Sequence, residues 1–124
     1  MRIKLYDCYD SAERLNVGDE FRGVGHECSS DMFNTENIDI KLVGVRLKGF
    51  RKSDKSQEFS WNLTCQTTFI IVDMSTNKVI FTSKKYPRNE RYNNNNNRCK
   101  FYKELQDFID SGFVDDKGLY KIED

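Results

Sequence analysis

The residues best suited to bind a ligand lie between Lys84 and Lys103, where cationic, aromatic and asparagine side chains are interleaved. Cations hold phosphate groups, aromatic rings stack on unpaired bases, and asparagine amides hydrogen-bond to base edges. The pattern therefore predicts a nucleic-acid or anion-binding segment. Its candidate residues are Lys84, Lys85, Arg88, Arg91, Tyr92, Arg98, Lys100 and Lys103, accompanied by the rings of Tyr86, Phe101 and Tyr102.

The helix that follows this segment is charged against its own dipole. Arg98 and Lys100 lie at its predicted N-terminus, and Asp110 lies at its predicted C-terminus. The dipole favours the opposite arrangement by about 0.3 to 1 kcal/mol per exposed charge, so an external anion at the N-terminus would compensate. The alternative is that these cations only solvate the helix surface, while Phe101 and Tyr102 belong to the core.

Residues for nucleophilic or zinc chemistry are sparse. The only imidazole, His26, lies two residues before Cys28, and a Cys-His pair needs a third group that orients the base. Structural zinc sites use two closely spaced ligand pairs, but the other cysteines, Cys8, Cys65 and Cys99, are far apart. We therefore expect no catalytic residue, no metal and no cofactor, and we favour a non-enzymatic protein over an enzyme.

One short motif points to magnesium chemistry. Asp39-Ile40-Lys41 places a carboxylate and an ammonium on the same face of a predicted strand. It resembles the Asp/Glu-x-Lys element of restriction-type nucleases, although the Pro-Asp that usually precedes that element is absent. The resemblance implies a second carboxylate ligand for Mg²⁺, for which Asp19, Glu20 or Asp31 is available.

The strands that would position these residues are marked by β-branched and aromatic residues. Thr64–Val72 and Lys78–Lys85 flank the turn formers of residues 73–77 and predict a hairpin. Upstream, alternating apolar residues predict a strand over 38–47 whose phase slips near Gly44, which indicates a bulge or a strand covered on both faces. Shorter strands are predicted over 2–6 and 18–24.

The end of the chain predicts one amphipathic helix. Phe101, Leu105, Phe108 and Ile109 recur at helical spacing, so we expect a helix over 98–110 that ends at Ser111-Gly112 and covers one face of the sheet. Residues 119–122 form a last edge strand or a tail. The expected fold class is α+β, a small antiparallel sheet or partly open barrel with one C-terminal helix packed on it.

The barrel option comes from Val17 to Val24. A Gly-Asp pair enters this strand and a Gly-Val pair ends it. The segment resembles the opening strand of small barrels such as OB-like folds, which implies single-strand binding on a sheet face.

Length and composition favour one cytoplasmic domain over residues 1–124. The 124 residues fit a single domain. The longest apolar run is Phe69 to Val72, far short of the roughly 20 residues of a membrane helix. Acidic residues near the N-terminus argue against an export signal, so the four cysteines are expected to be free thiols. The asparagine run over 93–97 is expected to be an exposed loop.

The neutral net charge conceals a strong segregation of charge along the chain. Residues 1–40 carry four basic and nine acidic side chains, residues 41–103 carry fourteen and four, and residues 104–124 carry two and seven. A basic middle of this kind can form a phosphate-binding face, or the acidic ends can fold over it and neutralise it.

These observations favour a small accessory or regulatory binding protein. An abundance of Asn, Lys, Ile, Phe and Tyr indicates an AT-rich genome, and a phage or another mobile element is the favoured source. The leading hypothesis is an inhibitor or adaptor that binds a host protein or protein complex in the host cytoplasm, with no membrane partner. The first alternative is a single-stranded RNA or DNA binding protein that uses residues 84–103. The second is a Mg²⁺-dependent nuclease.

Overall fold

The computed structural model describes residues 1–8, 16–21, 30–63, 68–86 and 100–114. Seven strands and one α-helix lie within these ranges. They are β1 (Arg2–Cys8), β2 (Ser30–Asn34), β3 (Ile38–Val43), β4 (Arg46–Arg51), β5 (Gln57–Asn62), β6 (Thr68–Asp73), β7 (Lys78–Thr82) and α1 (Lys100–Asp110).

The strands form two antiparallel sheets. One has four strands in the order β2-β1-β6-β7, and the other has three in the order β3-β4-β5. The chain passes from the first sheet to the second through the short link between β2 and β3. Within the described ranges the sheets do not close into a barrel, and the expected α+β class with a C-terminal helix is confirmed.

One continuous core joins both sheets and the helix. The four-stranded sheet contributes Ile3, Leu5 and Ile71, and the three-stranded sheet contributes Leu47 and Trp61. The helix adds a buried stripe, because its apolar residues recur every three or four positions. The stripe consists of Phe101, Tyr102, Leu105 and Phe108.

The four-stranded sheet is covered on its second face as well. Phe21 packs there against Ile70, Val72 and Val79. Backbone hydrogen bonds hold the covering segment, from Gly18 N–H to the Val79 carbonyl at 2.7 Å and from Val79 N–H to the Asp19 carbonyl at 2.9 Å. All six residues of β6 are consequently buried, which explains the apolar run from Phe69 to Val72 at its centre.

The predicted β6–β7 hairpin is confirmed, and so is the first strand. The prediction of a bulge at Gly44 is wrong. Gly44 has a φ of +63° in a two-residue turn, and Val43 pairs with Arg46, so the predicted single strand is the β3–β4 hairpin. Of the strand predicted over 18–24, the described part contains one isolated bridge between Glu20 and Lys78. Residues 22–24 and the possible strand over 119–122 lie outside the described residues.

The helix begins at Lys100 and ends at Asp110, close to the predicted limits. Gly112 follows with a φ of +80°, as predicted for its stop signal. The first turn of α1 contains no acidic residue and its last turn contains no basic one. The helix is therefore charged against its dipole, as expected. Across the described ranges, no helix is long and apolar enough to cross a membrane.

Gly49 in the middle of β4 provides a test of the packing. It pairs with Phe59, whose ring occupies the space that a Cβ on Gly49 would need, and that ring also stacks on Phe33 with 5.1 Å between centroids. We expect Gly49→Ala to lower the free energy of unfolding by about 1 to 3 kcal/mol, because Phe59 must leave its place in the core. Urea denaturation measures this, and exposed Ser60→Ala is the control, with a change within about 0.5 kcal/mol. Equal stability of the two variants would contradict the described packing.

Candidate nucleic-acid interface

Four of the eight predicted binding residues lie outside the described ranges: Arg88, Arg91, Tyr92 and Arg98. Of the others, Lys84 and Lys85 belong to a 3-10 turn over Ser83–Lys85 that follows β7. Lys100 and Lys103 are exposed on the first turn of α1. The Lys100 Nζ lies 3.8 Å from a carboxylate oxygen of Glu104, so an acidic neighbour partly neutralises this cation.

The rings of the same segment are core residues. Tyr86 is 4% exposed, and Phe101 and Tyr102 are each 1% exposed. The Phe101 ring lies 5.1 Å from both tyrosine rings, and the Tyr86 hydroxyl donates a hydrogen bond to Glu104. These three rings therefore cannot stack on bases, and for Phe101 and Tyr102 the alternative of a core position is confirmed.

A second cationic surface lies on the outer side of the three-stranded sheet. We call it the basic face, and it consists of Lys41, Arg46, Lys48 and Phe50, whose positions alternate with the buried residues of β3 and β4. Arg46 and Lys48 are two residues apart on the central strand, a separation of about 7 Å. Lys48 is directly opposite Lys41 in the register of the hairpin, which places their Cβ atoms about 5 Å apart.

Polar and apolar residues border the basic face. On β5, the exposed Asn62 and Ser60 are opposite Arg46 and Lys48. On β3, Val43 is 47% exposed opposite Arg46. Half-buried Phe50 continues the central strand beyond Lys48. The face thus combines three cations, a ring edge, hydrogen-bonding side chains and one carboxylate, that of Asp39 opposite Phe50.

Acidic side chains near the basic face neutralise Arg51 and partly neutralise Lys41, whose ammonium lies 3.8 Å from the Asp39 carboxylate. Arg51, at the far end of β4, lies 2.7 Å from Glu58 and 3.7 Å from Asp54. The Ser56 backbone N–H and hydroxyl donate to Asp54 and, together with the Arg51 charge, hold the pKa of Asp54 below its ordinary value of 3.8. Asp54 therefore stays ionised beside Arg51. Arg51 has two acidic partners and is not counted in the basic face, whereas Lys41 has one and is counted.

The proposed magnesium ligands are dispersed. Asp39 and Lys41 do share one face of β3, with 3.8 Å between the carboxylate and the ammonium, and both are more than half exposed. Asp31 instead accepts a hydrogen bond from the Trp61 indole, and Asp19 accepts one from the Asn16 backbone at 2.7 Å. Across the described ranges, no three His, Cys, Asp or Glu side chains are grouped to hold a metal ion. His26 and Cys28 lie outside them.

No protein-family model, no curated protein and no solved structure matches this chain. The geometry of the described residues therefore carries the functional argument. The sequence did contain a signal for the basic face, because a turn at Gly44 brings Lys41 opposite Lys48. The interpretation of Gly44 as a bulge concealed that pairing.

The burial of the aromatic residues gives a test that separates a core role from a binding role. We expect Phe101→Ala to cost about 3 to 5 kcal/mol of unfolding free energy, because a fully buried ring leaves a cavity. The control is Lys103→Ala on the same helical turn, which is exposed and should stay within about 0.5 kcal/mol of the parent. Chemical denaturation followed by circular dichroism measures both. If Phe101→Ala were as stable as the parent, the core role would be contradicted and Phe101 would again be a candidate binding residue.

Proposed function

We propose that this chain is a small non-enzymatic binding protein and that its basic face binds single-stranded nucleic acid. The observation that carries the proposal is the cross-strand pair of Lys41 and Lys48, with Arg46 beside it. Like charges directly opposite each other destabilise a sheet. The Asp39 carboxylate, 3.8 Å from the Lys41 ammonium, offsets part of this repulsion, and an anionic ligand would offset the rest.

The spacing of the cations fits a phosphate backbone. Arg46 and Lys48 follow each other along β4 at about 7 Å, and Lys41 widens the cationic area across the neighbouring strand. Each phosphate that a cation neutralises releases counterions, and this release drives nucleic-acid binding at moderate salt. A row of cations along one strand can therefore follow a backbone over successive phosphates.

The remaining residues of the face favour an unpaired strand over a duplex. Duplex grooves are read by a helix or a protruding ribbon, whereas a sheet face offers a broad platform. Half-buried Phe50 lies at the end of the cationic row, where its ring can contact a base that is not paired. Ser60 and Asn62 supply hydrogen-bonding groups at the border.

An acidic host protein or protein complex is the second candidate partner. Val43 is 47% exposed among the cations of the same face, and a mixed apolar and cationic surface also suits a protein interface. An inhibitor or adaptor encoded by a phage or another mobile element would use the charge to steer onto its host partner in the cytoplasm.

Fluorescence anisotropy with a labelled 20-nucleotide oligo(dT) or oligo(U) over a salt series tests the proposal. We expect binding at low salt that weakens steeply as salt rises. The triple variant Lys41→Gln, Arg46→Gln, Lys48→Gln should weaken binding more than tenfold and reduce the salt slope by about 2, since each single-strand phosphate contact contributes about 0.7. The matched control, Lys52→Gln, Lys55→Gln, Lys78→Gln, removes the same charge elsewhere and should retain most of the affinity.

Three outcomes would contradict the proposal. The first is an absence of binding at low salt, and the second is an equal loss in both triple variants, which would show only a dependence on net charge. The third is a stoichiometric protein partner retained on the basic face after nuclease treatment, without any oligonucleotide shift, which would favour the second candidate. Cleavage of the oligonucleotide that requires Mg²⁺ and is lost in Asp39→Ala would support the nuclease alternative instead.

A further inference from the structure

β3 is an end strand of the three-stranded sheet, so one of its sides is paired with β4 and the other is not. Lys52 N–H donates to the Asn37 carbonyl at 2.9 Å, and hydrogen-bonded pairs alternate along an antiparallel ladder. In the register of β3 and β4, the next hydrogen-bonded pairs then involve Asp39 and Lys41. The residues between them direct their backbone N–H and carbonyl groups away from β4. We call these residues the β3 edge: Ile38, Ile40 and Leu42.

The outward backbone groups of the β3 edge are open to solvent. Among the described residues, β3 pairs only with β4, and no hydrogen bond reaches these groups from another part of the chain. α1 also contacts β3, but a helix that covered the edge would bury its N–H and carbonyl groups without partners, which folded proteins avoid. Ile38 and Leu42 are only half-buried although their side chains pack on the core, as expected at an open edge.

The side chains of β3 form a self-complementary pattern. Acidic Asp39 and basic Lys41 flank Ile40 symmetrically. When a second β3 pairs antiparallel with Ile40 opposite Ile40, Asp39 of each strand is opposite Lys41 of the other. Ile38 is then opposite Leu42, so apolar side chains meet on the core side. In this register the edge residues form the hydrogen-bonded pairs, and the charged residues form the pairs whose side chains approach most closely.

The same charges disfavour the neighbouring registers. Two β3 edges can slip past each other only in steps that keep their outward backbone groups opposite one another. One such step places Asp39 opposite Asp39, and one step in the other direction places Lys41 opposite Lys41. Like charges directly opposite each other destabilise a sheet. The favoured pairing of β3 with itself is therefore the one in which Ile40 lies on a twofold axis.

We infer that a second copy of this chain binds at the β3 edge and forms a symmetric dimer. The two three-stranded sheets then join into one continuous sheet in the order β5-β4-β3-β3-β4-β5. Within a single chain the Asp39 carboxylate lies 3.8 Å from the Lys41 ammonium, which is longer than a hydrogen bond. In the dimer each of these charges has an opposite charge directly across the strand pair. A second copy matches the charge pattern of β3 by symmetry, and this match selects it as the occupant.

The dimer places two basic faces on one sheet. Lys48 of one copy is separated from Lys48 of the other by three strand spacings, about 14 Å. The inference does not depend on nucleic-acid binding, because it is argued from the backbone groups and charges of β3, and its test contains no oligonucleotide.

Analytical ultracentrifugation of the full chain over a wide range of protein concentration tests the dimer. The parent should change from monomer to dimer as concentration rises. Asp39→Lys and Lys41→Asp each place like charges opposite each other, and each should weaken dimerisation by about tenfold or more. An equimolar mixture of the two variants should form a heterodimer, because every Lys is then opposite an Asp. The matched control Lys52→Asp changes an exposed cation away from β3 and should dimerise like the parent.

Hydrogen exchange of the parent chain gives a second measurement that does not depend on the folding of a variant. In dilute protein the amides of the β3 edge should exchange faster than those of Asp39 and Lys41, and they should gain protection as concentration rises. A parent that stays monomeric would show that Lys41 only protects the edge from association, and would overturn the inference. A dimer that survives both single charge reversals, a mixture that forms no heterodimer, or edge amides that gain no protection would overturn it as well.

Discussion

The structure depends on the burial of β6 on both faces. A strand without a solvent-facing side chain requires two covering layers. The three-stranded sheet and α1 form one layer, and the segment that contains Phe21 forms part of the other. The one charged side chain of β6 is the buried Asp73 at its end, which accepts hydrogen bonds from the backbone N–H and the hydroxyl of Ser75. No cation lies on β6, and the cations of the described residues lie on the other strands, in turns and on the helix surface.

The sequence predicts those parts of the fold in which the spacing of buried residues is visible within one short segment. The apolar run of β6 between turn formers and the helical spacing of Phe101, Leu105 and Phe108 both predict the observed elements. The strands β2 and β5 are short and largely polar, and as edge strands they bury few side chains. Their positions depend on pairing with distant strands, which no local pattern encodes.

The same limit applies to the binding segment predicted over residues 84–103. Cations and rings that alternate in sequence suggested one surface, but the fold separates them, because Phe101 and Tyr102 occupy the buried stripe of the helix. The basic face depends on a register between two strands. It could be predicted only with the turn at Gly44 correctly identified, since the turn determines which side chains are opposite each other.

Trp61 has a consequence for how the molecule can be observed. It is the chain's single tryptophan, it is nearly buried, and its indole N–H donates a hydrogen bond to Asp31 of the other sheet. Its fluorescence is therefore an intrinsic reporter of the separation between the sheets. A change in emission that precedes the loss of the far-ultraviolet circular dichroism signal would mark sheets that part before their strands unfold.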